Sequence, residues 1–220
     1  MALIVFEGVE GAGKSTQLAR VRASLEAAGR VVESFREPGG TPVGNEIRRV
    51  LLDPANSMDA MTEALLFMAS RAELVAQEIR PALAAGKTVL LDRFFLSTYA
   101  YQVGGRGLAE ADVLAANRVA TRGLVPTLTI LLTLSSTEGL ERARRRGPSD
   151  RIESTGAVFH QKVEEAFARF ATPEWQREHP ECGPIIAVDG NGTADAVAAR
   201  VHRVIAERIP GHDSLVRTVT

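Results

Sequence analysis

The stretch Gly8-Val9-Glu10-Gly11-Ala12-Gly13-Lys14-Ser15-Thr16 contains the spacing G-x-x-x-x-G-K-S. That spacing suits a grip on polyphosphate. Glycines let the chain turn tightly and aim successive backbone N–H groups at phosphate oxygens. Lys14 supplies a point charge for the terminal phosphates, and the Ser15 hydroxyl is placed to ligate Mg²⁺. An apolar run, Leu3 to Phe6, precedes the loop, and a helical pattern from Lys14 to about Ala28 follows it. The helix therefore begins at the loop and adds its positive dipole end. A dinucleotide turn, G-x-G-x-x-G, is not completed, because Thr16 stands where its last glycine belongs. The chemistry to expect is binding of a nucleoside triphosphate.

Further residues narrow the class. Asp92 ends the apolar run Thr88 to Leu91; a carboxylate at the C-terminal end of a buried strand can hold Mg²⁺, or cap the next helix. Arg93 and Arg36 each follow a strand pattern, and a guanidinium there suits bidentate phosphate contact or simply solvent. Phe67 and Arg71 lie four apart in one helical stretch, hence on one face. Together they can stack on a nucleobase and bond its edge, although on spacing alone a core role for Phe67 is favoured. Arg142, Arg144, Arg145, Arg146 and Arg151 crowd around Gly147-Pro148-Ser149. A solvated face would look like this, and so would a basic flap closing over phosphates. The guanine-recognition tetrad Asn-Lys-x-Asp is absent from the sequence, and His160, His179, His202 and His212 stand away from these motifs, as ordinary surface or helix residues.

Strand patterns fall at Leu3 to Phe6, Val31 to Phe35, Thr88 to Leu91, Thr127 to Leu134 and Pro184 to Val188. Helical patterns fall at Asp59 to Ala84, where Pro81 is expected to kink or end the helix, and at 109–122, 137–146, 155–170 and 193–208. Strands alternating with helices define an α/β fold with a central parallel sheet. Its 220 residues suit one domain. With 45% hydrophobic and 24% charged residues, the composition excludes a largely disordered chain. The net charge of −1 offers no global attraction to nucleic acid or an anionic membrane. Cys182 is the single cysteine, which excludes an internal disulfide and fits a reducing cytoplasm. The apolar start stops at Glu7, too short for a secretion signal, and no run approaches the ~20 residues of a membrane span.

These residues line up with a known family. The chain resembles thymidylate kinases over nearly its whole length, through Phe6 to Thr16, Arg36-Glu37-Pro38-Gly39-Gly40-Thr41, Leu51-Leu52-Asp53, Glu63 to Phe67 with Arg71, Asp92-Arg93-Phe94, Ser97 to Gln102, and Arg142-Ala143-Arg144 through Asp150-Arg151-Ile152-Glu153. The resemblance implies a phosphate-loop NTPase fold: a five-stranded parallel sheet flanked by helices, with a small mobile lid near 142–153 in a single domain of residues 1–210, and a tail at 211–220. It implies transfer of a phosphoryl group from Mg-ATP to dTMP. ATP would lie on residues 8–16 and Arg142, with Lys14, Arg93, Asp92 and Arg151 catalytic and Ser15 and Asp92 on the metal. Phe67 would stack on thymine and Arg71 bond its edge. Arg36 and Arg93 would hold the dTMP phosphate. Ser97, Tyr101 and Gln102 would line the nucleoside pocket, with Tyr101 crowding the sugar 2′ position and Glu10 near the 3′-hydroxyl. Gly11 occupies the loop position where some members carry a catalytic arginine, which shifts that task to the flap, as in bacterial members. Phe94 and Tyr99 depart from the usual residues at their positions. Homodimers and a cytoplasmic setting are expected. The alternatives are a kinase of the same fold acting on another nucleoside monophosphate or on a nucleoside, with Glu7 as base, and a nucleotide switch without turnover.

Overall fold

The computed structural model describes residues 1–145 and 147–209; Arg146, His212 and the tail from Pro210 lie outside the described residues. Five strands form one parallel sheet in the order β2-β3-β1-β4-β5. They are β1 (Ala2–Glu7), β2 (Val32–Arg36), β3 (Thr88–Asp92), β4 (Leu128–Thr133) and β5 (Ile185–Asp189). Every residue of β1 is buried, as a central strand covered on both faces must be. Its neighbours are β3 and β4, with Phe6 opposite Asp92 and Glu7 opposite Leu131. In turn β2 pairs with β3, placing Arg36 beside Asp92. The register thus brings Glu7, Arg36 and Asp92 to one edge, the carboxyl edge where open α/β sheets bind ligands.

Helices cover the two faces. They are α1 (Lys14–Ala27), α2 (Pro42–Leu52), α3 (Ala60–Leu74), α4 (Arg80–Ala84), α5 (Phe95–Thr98), α6 (Glu110–Thr121), α7 (Ser136–Arg144), α8 (Ala157–Phe170), α9 (Pro173–Glu178) and α10 (Ala194–Arg208). Thr41 caps α2, its hydroxyl accepting from the Gly44 N–H, with Pro42 in the first turn. Asp59 caps α3 by accepting from the Met61 N–H.

Pro81 neither ends nor splits the long helix. A π-helical turn, Val75–Ile79, links α3 to α4. Proline lacks an N–H, and its ring crowds the carbonyl four residues earlier; a wider turn just ahead of it relieves both. A second π-helical segment, Tyr99–Gly105, continues α5. No helix among the described residues is long and apolar enough to cross a membrane. His160, His179 and His202 are buried rather than on the surface. His179 stacks on Trp175 at 3.8 Å between ring centres, and its Nε2 meets Glu110 at 2.8 Å.

Candidate active site

A cavity of about 550 Å³ opens at the carboxyl edge of the sheet. One wall is the loop between β1 and α1, through Glu10, Gly11, Gly13, Lys14, Ser15 and Thr16. Gly8, Val9 and Ala12 form the buried back of that loop rather than the wall. Lys14 is folded inward, its Nζ donating to the Gly8 carbonyl at 3.0 Å and the Val9 carbonyl at 2.8 Å. Burial, and after it the charge of Arg93, pulls the Lys14 pKa down to about 8. Behind the loop runs α7, backbone against backbone. A Cβ on Gly11 would fall 1.9 Å from the Gly139 carbonyl oxygen, and one on Gly139 would fall 2.1 Å from that of Glu10. No side chain fits at Gly11, so the loop has no room for an arginine there.

Ser15 Oγ donates to Asp92 Oδ2 at 2.6 Å. Two hard oxygens side by side on the cavity wall fit a Mg²⁺ ion. Among the described residues no larger cluster of acidic, His or Cys ligands exists, which suits a metal that takes its other ligands from water and phosphate. The following helix, α5, has no side-chain cap bond, so Asp92 is not spent on capping.

Arg93 sits at the centre. Its φ of +73° lies in the left-handed region, where a non-glycine residue carries about 1–3 kcal/mol of strain. The guanidinium donates to the Gly8 carbonyl at 3.2 Å and to Ser97 Oγ at 2.9 Å. It pairs with Glu10 and lies 5.1 Å from the centre of the Tyr101 ring. Burial disfavours its charge, but Glu10, Glu7 and Asp92 outweigh that and hold its pKa above the usual arginine value. The turn itself is held by Glu7. This carboxylate is fully buried and accepts from the Phe94 N–H (2.7 Å), the Ser97 N–H (3.1 Å) and the Ser97 hydroxyl (2.6 Å). It does not line the cavity, so it is not placed to deprotonate a nucleoside hydroxyl.

The far end of the cavity is built on α3. Phe67, partly exposed, and Arg71 both line it. Every nitrogen of the buried Arg71 is engaged: with Glu37, with Thr98 Oγ1 and Asn117 Oδ1, and with the Phe94 carbonyl. Bonding a base edge would require it to exchange one of these partners. Burial drives the Glu37 carboxyl up to about 7, against the pull of Arg71. Gln102 lines the same end, its Nε2 donating to Glu63 at 2.9 Å. Tyr101 donates to Glu10 at 3.2 Å. Phe94 and Tyr99 are both buried away from the cavity. Phe94 packs under the Arg71 guanidinium at 5.1 Å, and Tyr99 sits among Phe170, Trp175 and His179 with its hydroxyl on Glu181.

Arg36 is exposed at the cavity rim. Arg48, which the sequence did not single out, lines the wall beside it. Its NH1 donates to the Pro38 carbonyl at 2.9 Å, and burial, then the charge of Arg36, lowers its pKa. From the expected flap, Ala143, Gly147, Pro148, Asp150, Ile152 and Glu153 reach the cavity. None of its described arginines does. Arg142 pairs along its own helix with Glu138. Arg151 donates from Nε to the Leu51 carbonyl at 2.6 Å and pairs with Glu63 at 2.7 Å, its side chain only 11% exposed.

The phosphate loop lines one wall of this cavity and Arg36 its rim, and Arg93 contacts the loop at the Gly8 carbonyl. The parallel sheet with this loop and cavity at its carboxyl edge is the architecture of a phosphate-loop protein. The family model described as thymidylate kinase matches residues 6–179. A thymidylate kinase of Deinococcus radiodurans is 45% identical over 209 residues, covering 95% of this chain and 97% of that protein. Thymidylate kinases of Chlorobium chlorochromatii and Pelobacter propionicus are 40% and 42% identical, each covering at least 94% of both chains. The chain belongs to the thymidylate kinase family.

Proposed function

We propose that the protein transfers the γ-phosphoryl group of ATP to the 5′-phosphate of dTMP, giving ADP and dTDP. The observation that carries this reading is Arg93: one guanidinium in contact with the phosphate loop at Gly8 and with the nucleoside side at Ser97 and Tyr101. A phosphate monoester has its second pKa near ~6, so the acceptor oxygen is already anionic at neutral pH. No general base is then needed, in keeping with a Glu7 whose oxygens are fully engaged. The same fact disfavours a nucleoside acceptor.

The protein's task is to hold two polyanions in line and neutralise the charge that develops between them. Lys14 would leave its loop carbonyls for the terminal phosphates of ATP. Arg93, Arg36 and Arg48 would take the acceptor phosphate, and Phe67 the face of the base. Tyr101 and Glu10 would border the sugar. Ser15 and Asp92 would hold Mg²⁺, which would supply Lewis-acid neutralisation of phosphate charge. Residues 142–153 are read as a lid within a single domain. A catalytic role for Arg151 would require its guanidinium to leave Glu63 and the Leu51 carbonyl when the lid closes. Exposed Val43 and Val50 on α2, Leu65 on α3 and Val119 on α6 support a homodimer through these adjoining helices. The single, unpaired Cys182 supports a cytoplasmic setting.

The test is acceptor-dependent ADP release from Mg-ATP with dTMP, dUMP, dCMP, AMP, GMP and thymidine compared. Preference for dTMP is expected. Turnover of thymidine alone, or of none, would overturn the proposal.

A further inference from the structure

Glu63 lies behind the base end of the cavity, outside every role assigned above. It is 1% exposed and stands four residues before Phe67 and eight before Arg71, so the three follow one another along one face of α3. Its carboxylate receives donors from two other segments. Gln102 Nε2 donates to Oε1 at 2.9 Å; Arg106 donates to both oxygens at 3.1 and 2.9 Å; Arg151 pairs with Oε2 at 2.7 Å. Burial works against its charge, but the bonds from Arg106, Gln102 and Arg151 outweigh burial and hold the pKa below the usual carboxylate value. An ionised carboxylate accepts and cannot donate. The Gln102 side chain therefore has one orientation open to it: amide N–H₂ toward Glu63, carbonyl Oε1 the other way. That Oε1 accepts from none of the described residues, and Gln102 lines the cavity beside Phe67 and Arg71.

Resting on the dTMP kinase reading, we propose that Glu63 is a positioning residue for base choice. By taking the Gln102 N–H₂ it makes the cavity present an acceptor to the base edge, so that a pyrimidine with a ring N–H is selected over an aminopyrimidine. Thymine and uracil carry a hydrogen on ring nitrogen N3 and satisfy the acceptor. Cytosine carries a lone pair at N3, which would face the Gln102 oxygen with neither group bonded. A buried site built for one hydrogen bond rejects a partner lacking it far more strongly than a methyl-sized pocket rejects a methyl. Arg106 and Arg151 serve this by keeping Glu63 ionised, and Arg106 is itself placed by the Phe159 ring, 4.5 Å from its guanidinium carbon.

The probe pair is dTMP and 5-methyl-dCMP, which share the methyl group and sugar phosphate and differ at the N3 and C4 edge. In Glu63→Gln the Gln102 amide can turn over, because a glutamine both donates and accepts. The kcat/KM ratio of dTMP to 5-methyl-dCMP should fall at least ~10-fold, the size of one misplaced hydrogen bond, while dTMP remains a substrate. A merely structural role would lower both substrates together and leave the ratio unchanged, which would overturn the proposal. Gln102→Met guards against a Glu63 variant that fails to fold. It should collapse the same ratio, and Glu63→Gln added to it should lower the ratio no further; an unchanged ratio in Gln102→Met overturns the proposal equally. Wild-type protein inert toward dTMP would sink the kinase reading itself, a result distinct from either.

Discussion

Gly139 sits inside α7, where alanine would ordinarily stabilise the helix by about 1 kcal/mol. The structure reverses that expectation. A Cβ at position 139 would lie 2.1 Å from the Glu10 carbonyl oxygen, and Cβ contacts below 3.0 Å essentially never occur, so loop and helix must part by about 0.9 Å. Overpacking of this kind costs about 1–3 kcal/mol, of which the helix gain offsets about 1 kcal/mol. Gly139→Ala should therefore melt within a few degrees of the parent. Function should suffer far more, because the Glu10 carbonyl belongs to the peptide that leads into Gly11 and the donors behind it. A misplacement of ~1 Å near a reacting group can cost ~10²-fold. The expected result is a fall in kcat/KM for ATP of about that size, with dTMP affinity less affected. Coupled ADP release at varied ATP, with thermal unfolding alongside, reads both. Exposed Glu141→Ala on the same helix is the control. A Gly139→Ala protein within about twofold of the parent would refute the reasoning, because it would mean the loop tolerates the displacement that close packing demands.

Other expectations follow from the buried charges. In the free protein the Lys14 pKa is about 8 against an unfolded value of 10.5. Its buried charge weakens the fold fully below pH 8 and is relieved as pH rises toward 10.5. If Lys14 meets the ATP phosphates as proposed, ATP affinity should weaken above pH 8, approaching tenfold per unit, and Lys14→Arg should flatten the profile. Glu7→Gln, which still accepts from the Phe94 and Ser97 N–H groups, should keep at least a tenth of kcat, whereas Glu7→Leu strands those donors at about 1–3 kcal/mol each and should lower both kcat and the melting point. A thousandfold loss in Glu7→Gln would make Glu7 a base after all. Arg151→Met should reduce stability by about 1–3 kcal/mol, the loss being limited because Arg106 still neutralises Glu63. A normal melting point with kcat collapsed would instead make Arg151 a catalytic group that only rests on Glu63.

The sheet was legible because a strand buried on both faces writes itself as an apolar run. Leu3 to Phe6 and Thr88 to Leu91 each extend by one residue or two in the structure. That the phosphate loop, Asp92 and Arg93 meet at one cavity was legible because each directly follows a strand pattern in the sequence. Helix α2 was not assigned, although Thr41-Pro42 is a start signal and Val43, Ile47, Val50 and Leu51 fall at helical spacing: the glycines before it, and Gly44 within it, read as loop. Arg48 was missed with it. The buried state of His160 and His202 was hidden because a histidine's environment comes from neighbours distant in sequence. The same holds for Arg71, whose partners Glu37, Thr98 and Asn117 lie 27 to 46 residues away. A spacing of four identified the face it shares with Phe67, but not that its donors were already taken.

Glu7, Glu37 and Glu63 are each buried, at 0%, 5% and 1% exposure; Glu7 and Glu63 stand behind the cavity wall and Glu37 forms part of it, and each holds a residue of the site. Glu7 holds the turn that carries Arg93, Glu37 fixes Arg71, and Glu63 fixes Gln102. Burying a carboxylate is costly, and a buried ion pair is weak evidence of net stability. Apolar residues in these positions could pack as well, so stability alone does not account for them. What an apolar residue cannot do is direct a donor. Glu7 and Glu63 take their partners' N–H groups as acceptors and leave the rest of each partner pointed one way; Glu37, its pKa raised by burial to about 7, does the same for Arg71 in its ionised form. The cavity is thereby arranged before any ligand enters it, which is what phosphoryl transfer between two bound nucleotides demands when positioning and charge supply most of the rate.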